Sequence, residues 1–225
     1  PSLSCYKLPA IFEQRDTTIM TPQLSRKPTT IAFIGAGNMA RSLIVGMLQD
    51  ATNLQLRVAD PDQNQLDVIR SYSSQIFTST ENQLVIEGAD VVVLAVKPQV
   101  MREVVEPLKT AAQKQRPLFV SVAAGIREES LNTWLGGNLP IVRCMPNTPA
   151  LVKAGATGLY ANPQVSKEQR SLAESILRTV GIILWFEDEA KLDAVTAVSG
   201  SGPAYFFLVM EAMQAAAESL GLKAE

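Results

Sequence analysis

The 225-residue chain contains no histidine and only two cysteines. Without histidine it lacks the commonest metal ligand and the usual general base, so its chemistry must proceed without imidazole. Cys5 and Cys144 lie far apart in sequence and form no CxxC pattern, so neither a zinc site nor a disulfide framework is predicted. We therefore expect no bound metal and a reducing, cytoplasmic location.

Basic charge and long apolar runs are also scarce. The net charge is −2 and the isoelectric point about 5.4, with Lys and Arg scattered, so neither nucleic acid nor an acidic membrane surface is an expected partner. Fully apolar runs such as VVVLAV at 91–96 are far shorter than the roughly 20 residues that span a bilayer. With 47% hydrophobic residues, the sequence predicts a soluble globular protein without a membrane segment.

A regular alternation of apolar and amphipathic segments begins at Thr29. We predict residues 1–28 to be a tail or N-terminal extension, with Met20 a candidate native start. Strands are expected at 29–35, 54–60, 89–96, 117–125 and 139–146, and helices at 36–50, 62–72, 98–108 and 127–136. This alternation predicts an α/β fold, a Rossmann-type doubly wound parallel sheet covered on both faces.

The first predicted turn has the sequence GAGNMA, which fits the pattern G-x-G-x-x-A with Gly35, Gly37 and Ala40. Gly35 permits the sharp turn, Gly37 lets a pyrophosphate approach the backbone, and Ala40 lets the helix pack close to the strand. An ordinary glycine-rich turn could have the same letters. Because the pattern lies between a buried strand and an amphipathic helix, it favours a dinucleotide site.

Asp60 closes the second predicted strand, where an acidic residue often binds the adenosine ribose hydroxyls. An aspartate there could instead cap the helix predicted over 61–72, so both interpretations stay open. The neighbouring ADPDQNQ offers no basic partner for a 2′-phosphate. We therefore expect NADH to be used at least comparably to NADPH.

Three motifs follow the carboxyl ends of later predicted strands, where ligands bind in open α/β sheets. They are AVKPQ at 95–99, VAAG at 122–125 and RCMPNTPA at 143–150. Each has a plainer interpretation as well: Lys97 could be a solvated loop lysine, and Asn147 with Thr148 could form only a rigid turn.

Taken in order, the motifs GAGNMA, LAVKP, SVAAGI, RCMPNTPALV, GAT and VSGSGPAY resemble the Δ1-pyrroline-5-carboxylate reductase family from about Thr30 to the last residue. The resemblance implies an oxidoreductase that reduces 1-pyrroline-5-carboxylate to L-proline with NADP or NAD as the coenzyme, in the final step of proline biosynthesis. It also implies a homodimer or higher homo-oligomer, with this small-molecule substrate.

The resemblance assigns the cofactor to the turn after the first strand, to Asp60 and to the ends of later strands. The implied cofactor-binding residues are Ile34, Gly35, Ala36, Gly37, Asn38, Met39, Asp60, Asn82, Ala95, Val96, Lys97, Pro98, Ala123, Gly125 and Asn147. On the substrate side, the candidates are Ser199, Ser201 and Lys97, and no proton donor is identified.

The chemistry implied by the resemblance agrees with the lack of histidine. A ketone normally needs a protonated side chain to supply the alkoxide with its proton, whereas a cyclic imine can accept hydride as an iminium that already carries one. The task then reduces to positioning the reacting carbons and neutralising the substrate carboxylate. The absence of histidine counts against the hydroxyacid dehydrogenases that depend on one, but not against those that use lysine.

Beyond the first five strands, the sequence predicts strands at 155–162 and 182–186 and helices at 166–181, 187–198 and 201–220. The last helix is apolar on several faces, so it must be buried. We predict a dinucleotide-binding domain over 29–190 and the start of an all-helical dimerisation domain over 191–225. The SGSGPAY turn is expected to face the nicotinamide and the substrate.

In the family, further helices and a glycine-rich loop with a threonine follow this helix, whereas the sequence stops at Glu225. We therefore expect the chain to be incomplete and, by itself, unable to reduce the imine. Two alternatives stay open: a non-catalytic dinucleotide-binding module, and a reductase of another small imine or carbonyl acid.

Overall fold

The computed structural model describes residues 28–50 and 53–223. Cys5, Met20 and almost all of the predicted tail lie outside the described residues, as does the end of the chain at Glu225.

One eight-stranded sheet organises the described residues, with the strand order β3-β2-β1-β4-β5-β6-β7-β8. The first six strands are mutually parallel, as the alternating pattern predicts. They are β1 Thr29–Ile34, β2 Leu54–Ala59, β3 Phe77–Ser79, β4 Val91–Leu94, β5 Leu118–Ser121 and β6 Ile141–Met145.

Helices lie between consecutive strands and cover the sheet. They are α1 Asn38–Asp50, α2 Gln63–Tyr72, α3 Asn82–Ile86, α4 Met101–Val105, α5 Lys109–Gln115, α6 Glu128–Trp134 and α7 Lys167–Arg178. Two hydrophobic clusters result, one containing Phe33, Leu43 and Ile44, the other Phe119, Leu94 and Met101. The sheet is therefore buried on both faces, which confirms the predicted fold class.

The direction of the chain reverses after the sixth strand. β7, Gly155–Ala161, runs antiparallel to β6, and β8, Gly181–Phe186, runs parallel to β7. Residues 146–154 alone connect β6 to β7, and this is shorter than the dozen or so residues that a parallel crossover needs. The connection contains a 3₁₀ turn, Thr148–Val152.

Local predictions differ from the structure at three places. The short strand β3 and the helix α3 have no counterpart among the predicted elements. The helix predicted over 98–108 is a 3₁₀ turn at Pro98–Val100 followed by α4, a second 3₁₀ turn at Glu106–Leu108 and α5, because Pro107 interrupts the helical hydrogen bonds. The helix predicted over 187–198 begins only at Lys191.

The final helical stretch consists of α8, Lys191–Val195, a π-helical turn at Thr196–Gly200, and α9, Gly202–Ser219. The predicted SGSGPAY turn is therefore a widened turn inside a nearly continuous helix. Large apolar side chains on α9 are exposed, including Phe206 (73%) and Met213 (67%), so the predicted burial is absent within the single chain.

The stretch Lys191–Ser219 also has the length and composition of a membrane span, with a mean hydropathy of 1.2 in its most apolar window. This match rests on length and composition alone, so it does not contradict the prediction that the chain has no membrane segment. The long apolar run is interrupted by single polar residues, which is why no uninterrupted stretch of letters reveals it.

Candidate active site

The carboxyl ends of the parallel strands share one edge of the sheet. Between β1 and β4 the order of strands changes direction, which creates the crevice where open α/β sheets bind ligands. The turn after β1 and the loop after β4 flank this crevice, and the segments after β5 and β6 follow along the same edge.

The two glycines of the first turn have different surroundings. Gly35 has φ +99°, and a Cβ there would lie 2.7 Å from the Ala95 carbonyl oxygen. A Cβ at Gly37, in contrast, would meet nothing within 4 Å. Gly35 therefore joins the turn to the β4 loop, whereas Gly37 leaves an open approach to the backbone at the start of the 13-residue helix α1.

Asp60 is hydrogen-bonded to this turn. Its Oδ2 accepts from the Ala36 backbone N–H at 2.8 Å, and its Oδ1 accepts from the Asp62 N–H at 2.9 Å. The residue that caps α2 is Asp62, whose side chain accepts from the Asn64 N–H. The capping alternative for Asp60 is therefore wrong, and its half-buried carboxylate lies between the turn and the end of β2.

Arg41 is a neighbour of Asp60 that sequence reasoning missed. Its Nε donates to the Ala36 carbonyl at 3.0 Å, and its guanidinium also donates to the Gln65 side chain. Arg41 and Asp60 thus bind the two backbone groups of the same residue, Ala36. An arginine directly after the GAGNMA letters was the available signal, but the pattern assigns no role to that position.

The other predicted cofactor residues occupy strand ends at the same edge. Ile34 and Ala123 are buried, whereas Met39, Asn82, Ala95, Val96 and Pro98 are half-buried and Asn38, Lys97 and Gly125 are exposed. Asn82 begins α3, directly after the short connection from β3. The exposure of Lys97 fits its plainer interpretation as a solvated lysine, and its catalytic role stays a prediction.

The motifs RCMPNTPA and VSGSGPAY meet at this edge. The Asn147 Nδ2 donates to the Ser199 Oγ at 3.2 Å, and the Asn147 Oδ1 accepts from the Ala156 N–H at 2.9 Å. A Cβ at Gly200 would lie 2.7 Å from the Met145 Cε, so the π turn packs directly on the end of β6. Asn147 therefore does more than form a turn, because it also reaches across to the last helical stretch.

A buried ion pair lies behind this contact. Arg143 Nη1 donates to Glu189 Oε1 at 2.6 Å, and the same oxygen accepts from the Glu128 N–H at 2.6 Å. The Arg143 side chain is only 6% exposed, and its Nε has no partner among the described residues. Glu189 thus joins β6 and the start of α6 to the segment that leads into α8.

Cys144 is excluded from the chemistry by its environment. Burial raises the pKa of its thiol to about 12, an effect that the nearby Arg143 charge only partly opposes. The thiol donates to the Ser121 carbonyl at 3.1 Å and stays protonated at neutral pH.

Two grooves adjoin the site. One, of about 530 Å³, lies along α1 and contains Asn38, Arg41 and the turn at Ala150–Lys153. The other, of about 170 Å³, is mostly apolar and is formed by β7, β8 and Val195, with Ser199 on its wall.

A pyrroline-5-carboxylate reductase of Pseudomonas aeruginosa is 53% identical to this chain over 197 residues, which cover 87% of the chain and 71% of that protein. The chain belongs to the pyrroline-5-carboxylate reductase family. The predicted family is therefore confirmed, whereas the roles assigned to individual residues stay predictions.

Other similarities agree with the assignment to pyrroline-5-carboxylate reductases. Residues 189–225 match the sequence model of the pyrroline-5-carboxylate reductase dimerisation domain, and residues 30–125 match that of the coenzyme F420-dependent NADP oxidoreductases. A pyrroline-5-carboxylate reductase structure from Coxiella burnetii is 44% identical, with a TM-score of 0.79 over 88% of this chain and 73% of that one. A Plasmodium falciparum pyrroline carboxylate reductase, solved with NADP bound, is 27% identical, with a TM-score of 0.74 over 87% of this chain and 71% of that one.

Proposed function

We propose that the protein to which this sequence belongs reduces 1-pyrroline-5-carboxylate to L-proline with NAD(P)H, the final step of proline biosynthesis. The observation that carries the proposal is the meeting of four motifs at one sheet edge: the open Gly37 turn, the Ala95–Pro98 loop, Asn147 and the π turn with Ser199. The direct test is imine-dependent loss of NADH or NADPH absorbance by the intact protein. No oxidation above the imine-free rate would overturn it.

The residues at this edge fit a dinucleotide. The backbone at Gly37 is open, and the amide groups at the N-terminus of α1 favour a pyrophosphate. Ala95, Val96, Ala123 and Gly125 offer small, mainly apolar surfaces on which the nicotinamide would lie. When bound, the reduced nicotinamide supplies the hydride.

The role of the protein is then to hold and orient. The site contains no imidazole, and Cys144 is protonated and buried, so neither serves as a general base. An iminium substrate already carries its nitrogen proton, so a site that fixes the two reacting carbons suffices.

The contact between Asn147 and Ser199 disfavours a non-catalytic dinucleotide module. A module of that kind needs the glycine turn and the strand ends near it, but gains nothing from joining the end of β6 to a second helical segment. A reductase of another small imine or carbonyl acid would keep the contact. A comparison of kcat/KM for 1-pyrroline-5-carboxylate with that for its six-membered homologue distinguishes the proposed reductase from a reductase of another small acid.

Gly37→Val is expected to weaken NADH binding at least tenfold, which corresponds to about 1.4 kcal/mol. The branched side chain would occupy the space through which a pyrophosphate approaches the turn. Because a Cβ there meets nothing within 4 Å, the fold should tolerate the change. Calorimetric titration with NADH measures the affinity, and thermal unfolding checks the fold.

Gly88→Ala is the control for adding a side chain outside the proposed site, because a Cβ at Gly88 also meets nothing within 4 Å; its φ of +67° adds a backbone cost that thermal unfolding measures separately. It should leave NADH affinity unchanged. If Gly37→Val binds NADH as tightly as the unmodified protein, the turn does not hold the pyrophosphate.

We also expect NADH to be used at least comparably to NADPH. The Asp60 carboxylate, held by two backbone N–H groups, would repel a 2′-phosphate, whereas the nearby Arg41 would attract one. Asp60→Ser should raise the kcat/KM ratio of NADPH to NADH about fivefold, or roughly 1 kcal/mol, and Arg41→Gln should lower it. A strong NADPH preference that is unchanged by Asp60→Ser would contradict this expectation.

A second copy of the chain is the proposed cover for α9. The match of residues 189–225 to a dimerisation domain and the exposed Phe206, Phe207 and Met210 support a homo-oligomer. Phe206→Glu should therefore shift the molecular mass measured by light scattering toward that of one chain, whereas Lys114→Glu, an exposed change on α5, should not. An unmodified protein with the mass of a single chain would exclude this role for α9.

The division into a dinucleotide-binding domain at 29–190 and a helical domain at 191–225 remains part of the proposal. A cytoplasmic location is proposed on the same footing, because NAD(P)H is a coenzyme of the cell interior.

A further inference from the structure

The orientation of the Asn147 side-chain amide is fixed by its two hydrogen-bond partners. One partner is the Ala156 backbone N–H, which can only donate, so the atom facing it must be the carbonyl oxygen Oδ1. The atom facing Ser199 is therefore the NH₂ group, which can only donate. Asn147 consequently presents a donor to the Ser199 hydroxyl.

This orientation sets the direction of the Ser199 hydroxyl. Because Oγ accepts from Asn147, the hydroxyl hydrogen points elsewhere, and no acceptor for it lies within the described part of the chain. Serines in helices usually donate to a carbonyl of the preceding turn. Among the described helical residues, Ser42, Ser71, Ser175 and Ser219 do so, whereas Ser130 and Ser171 do not.

Ser201, the neighbouring candidate, behaves differently. Its hydroxyl donates to the Thr196 carbonyl at 3.1 Å, within the π turn itself. Its hydrogen is therefore engaged in the helix, whereas that of Ser199 stays available to a bound molecule.

The position of Ser199 is fixed as well as its direction. The Ser201 N–H donates to the Thr196 carbonyl, which closes the widened turn around Ser199. On the adjacent side, Gly200 packs so closely on Met145 that a Cβ would lie 2.7 Å from the Met145 Cε. The hydroxyl therefore has a defined location on the wall of the groove formed by β7 and β8.

We propose that Asn147 is a positioning residue that holds the Ser199 hydroxyl as a hydrogen-bond donor to an oxygen of the bound reactants. This inference rests on the proposed reductase function. The acceptor is a carboxylate oxygen of the imino acid or the carboxamide oxygen of the nicotinamide. Both have the same chemistry, an oxygen that accepts one hydrogen bond.

Asn147→Asp tests the proposal with the smallest change of shape. A carboxylate still accepts from the Ala156 N–H, but it cannot donate to Ser199, so the hydroxyl would turn to donate to Asp instead. We expect kcat/KM for the imine to fall about tenfold to a hundredfold, the effect of losing one hydrogen bond to a charged or strongly polar group. Ser199→Ala should cause a similar loss.

The double variant distinguishes positioning from a direct effect of the new charge. If Asn147 acts through Ser199, Asn147→Asp combined with Ser199→Ala should be no worse than Ser199→Ala alone, within about twofold. Thr196→Val is the control, because this hydroxyl already donates to the Leu192 carbonyl in the same turn, and its loss should leave kcat/KM nearly unchanged.

Binding measurements identify the acceptor. A nicotinamide acceptor predicts weaker NADH binding by Asn147→Asp, with unchanged affinity for ADP-ribose, which lacks the nicotinamide. An imino acid acceptor predicts a raised KM for the imine and unchanged affinity for both nucleotides.

Two results would overturn the inference while leaving the reductase function intact: an Asn147→Asp variant with at least half of the original kcat/KM, or losses that multiply in the double variant. If the unmodified protein shows no imine-dependent oxidation of NADH or NADPH, the proposed function fails, and the inference fails with it.

Discussion

Glu189→Ala is expected to lower the free energy of unfolding by about 3–5 kcal/mol, the usual cost of removing one partner of a buried ion pair. The remaining guanidinium of Arg143 would be buried with neither its charge nor its hydrogen bond compensated, and the Glu128 N–H would lose its acceptor. Chemical denaturation, with the midpoint and slope fitted separately, measures the change.

Glu187→Ala is the matched control. The Glu187 side chain is 92% exposed and lies 3.8 Å from Arg170, so its removal should cost at most about 1 kcal/mol. Replacing both partners of the buried pair, with Arg143→Met and Glu189→Leu, should recover much of the loss, since no charge is then left unpaired. Equal costs for Glu189→Ala and Glu187→Ala would show that the pair is not a buried one in solution.

Gly35→Ala should destabilise the protein by about 3 kcal/mol or more, because two costs of roughly 1–3 kcal/mol each combine. One is the backbone, since φ +99° is unfavourable for alanine. The other is steric overlap, because the new methyl group would lie 2.7 Å from the Ala95 carbonyl oxygen, which belongs to the backbone of the loop after β4. The turn and the loop would separate, so NADH affinity should fall in parallel.

Gly125→Ala separates the two costs. Gly125 also has a positive φ, +75°, but a Cβ there meets nothing within 4 Å. Gly125→Ala should therefore lower the free energy of unfolding by the backbone cost alone, about 1 kcal/mol or slightly more, which is the lower part of the range for a strained residue. Equal destabilisation by the two substitutions would mean that the approach of Ala95 is unimportant.

The parallel part of the fold was predictable because each strand has local signals. Continuous apolar runs such as VVVL at 91–94 are buried on both faces, and glycine, proline or aspartate marks the strand ends. The reversal at β7 has no such signal. It depends on the length and path of residues 146–154, and β7 has apolar letters that would suit either direction.

The site was predictable where it depends on the backbone and not where it depends on distant pairs. Gly35 marks its own position because its positive φ favours glycine, and Gly37 is marked by the spacing of the G-x-G-x-x-A pattern. The partnership of Asn147 with Ser199, and that of Arg143 with Glu189, join residues about fifty positions apart in sequence, and only the folded chain brings them together. Likewise, the choice of Asp62 over Asp60 as the helix cap depends on a hydrogen bond that Asp60 makes elsewhere.

The exposure of α9 illustrates a different limit. Its apolar letters predict a surface that needs cover, but they do not say whether the same chain or another one provides it.

The peptide groups flanking Ala36 are held from both directions, the N–H by Asp60 and the carbonyl by Arg41. A loop fastened in this way before any ligand arrives has little conformational freedom left to lose. Ordering a single free residue would otherwise oppose binding by about 1–2 kcal/mol. The turn is thus preorganised. Removing either hydrogen bond would make the entropy of dinucleotide binding less favourable, even if every contact to the ligand were kept.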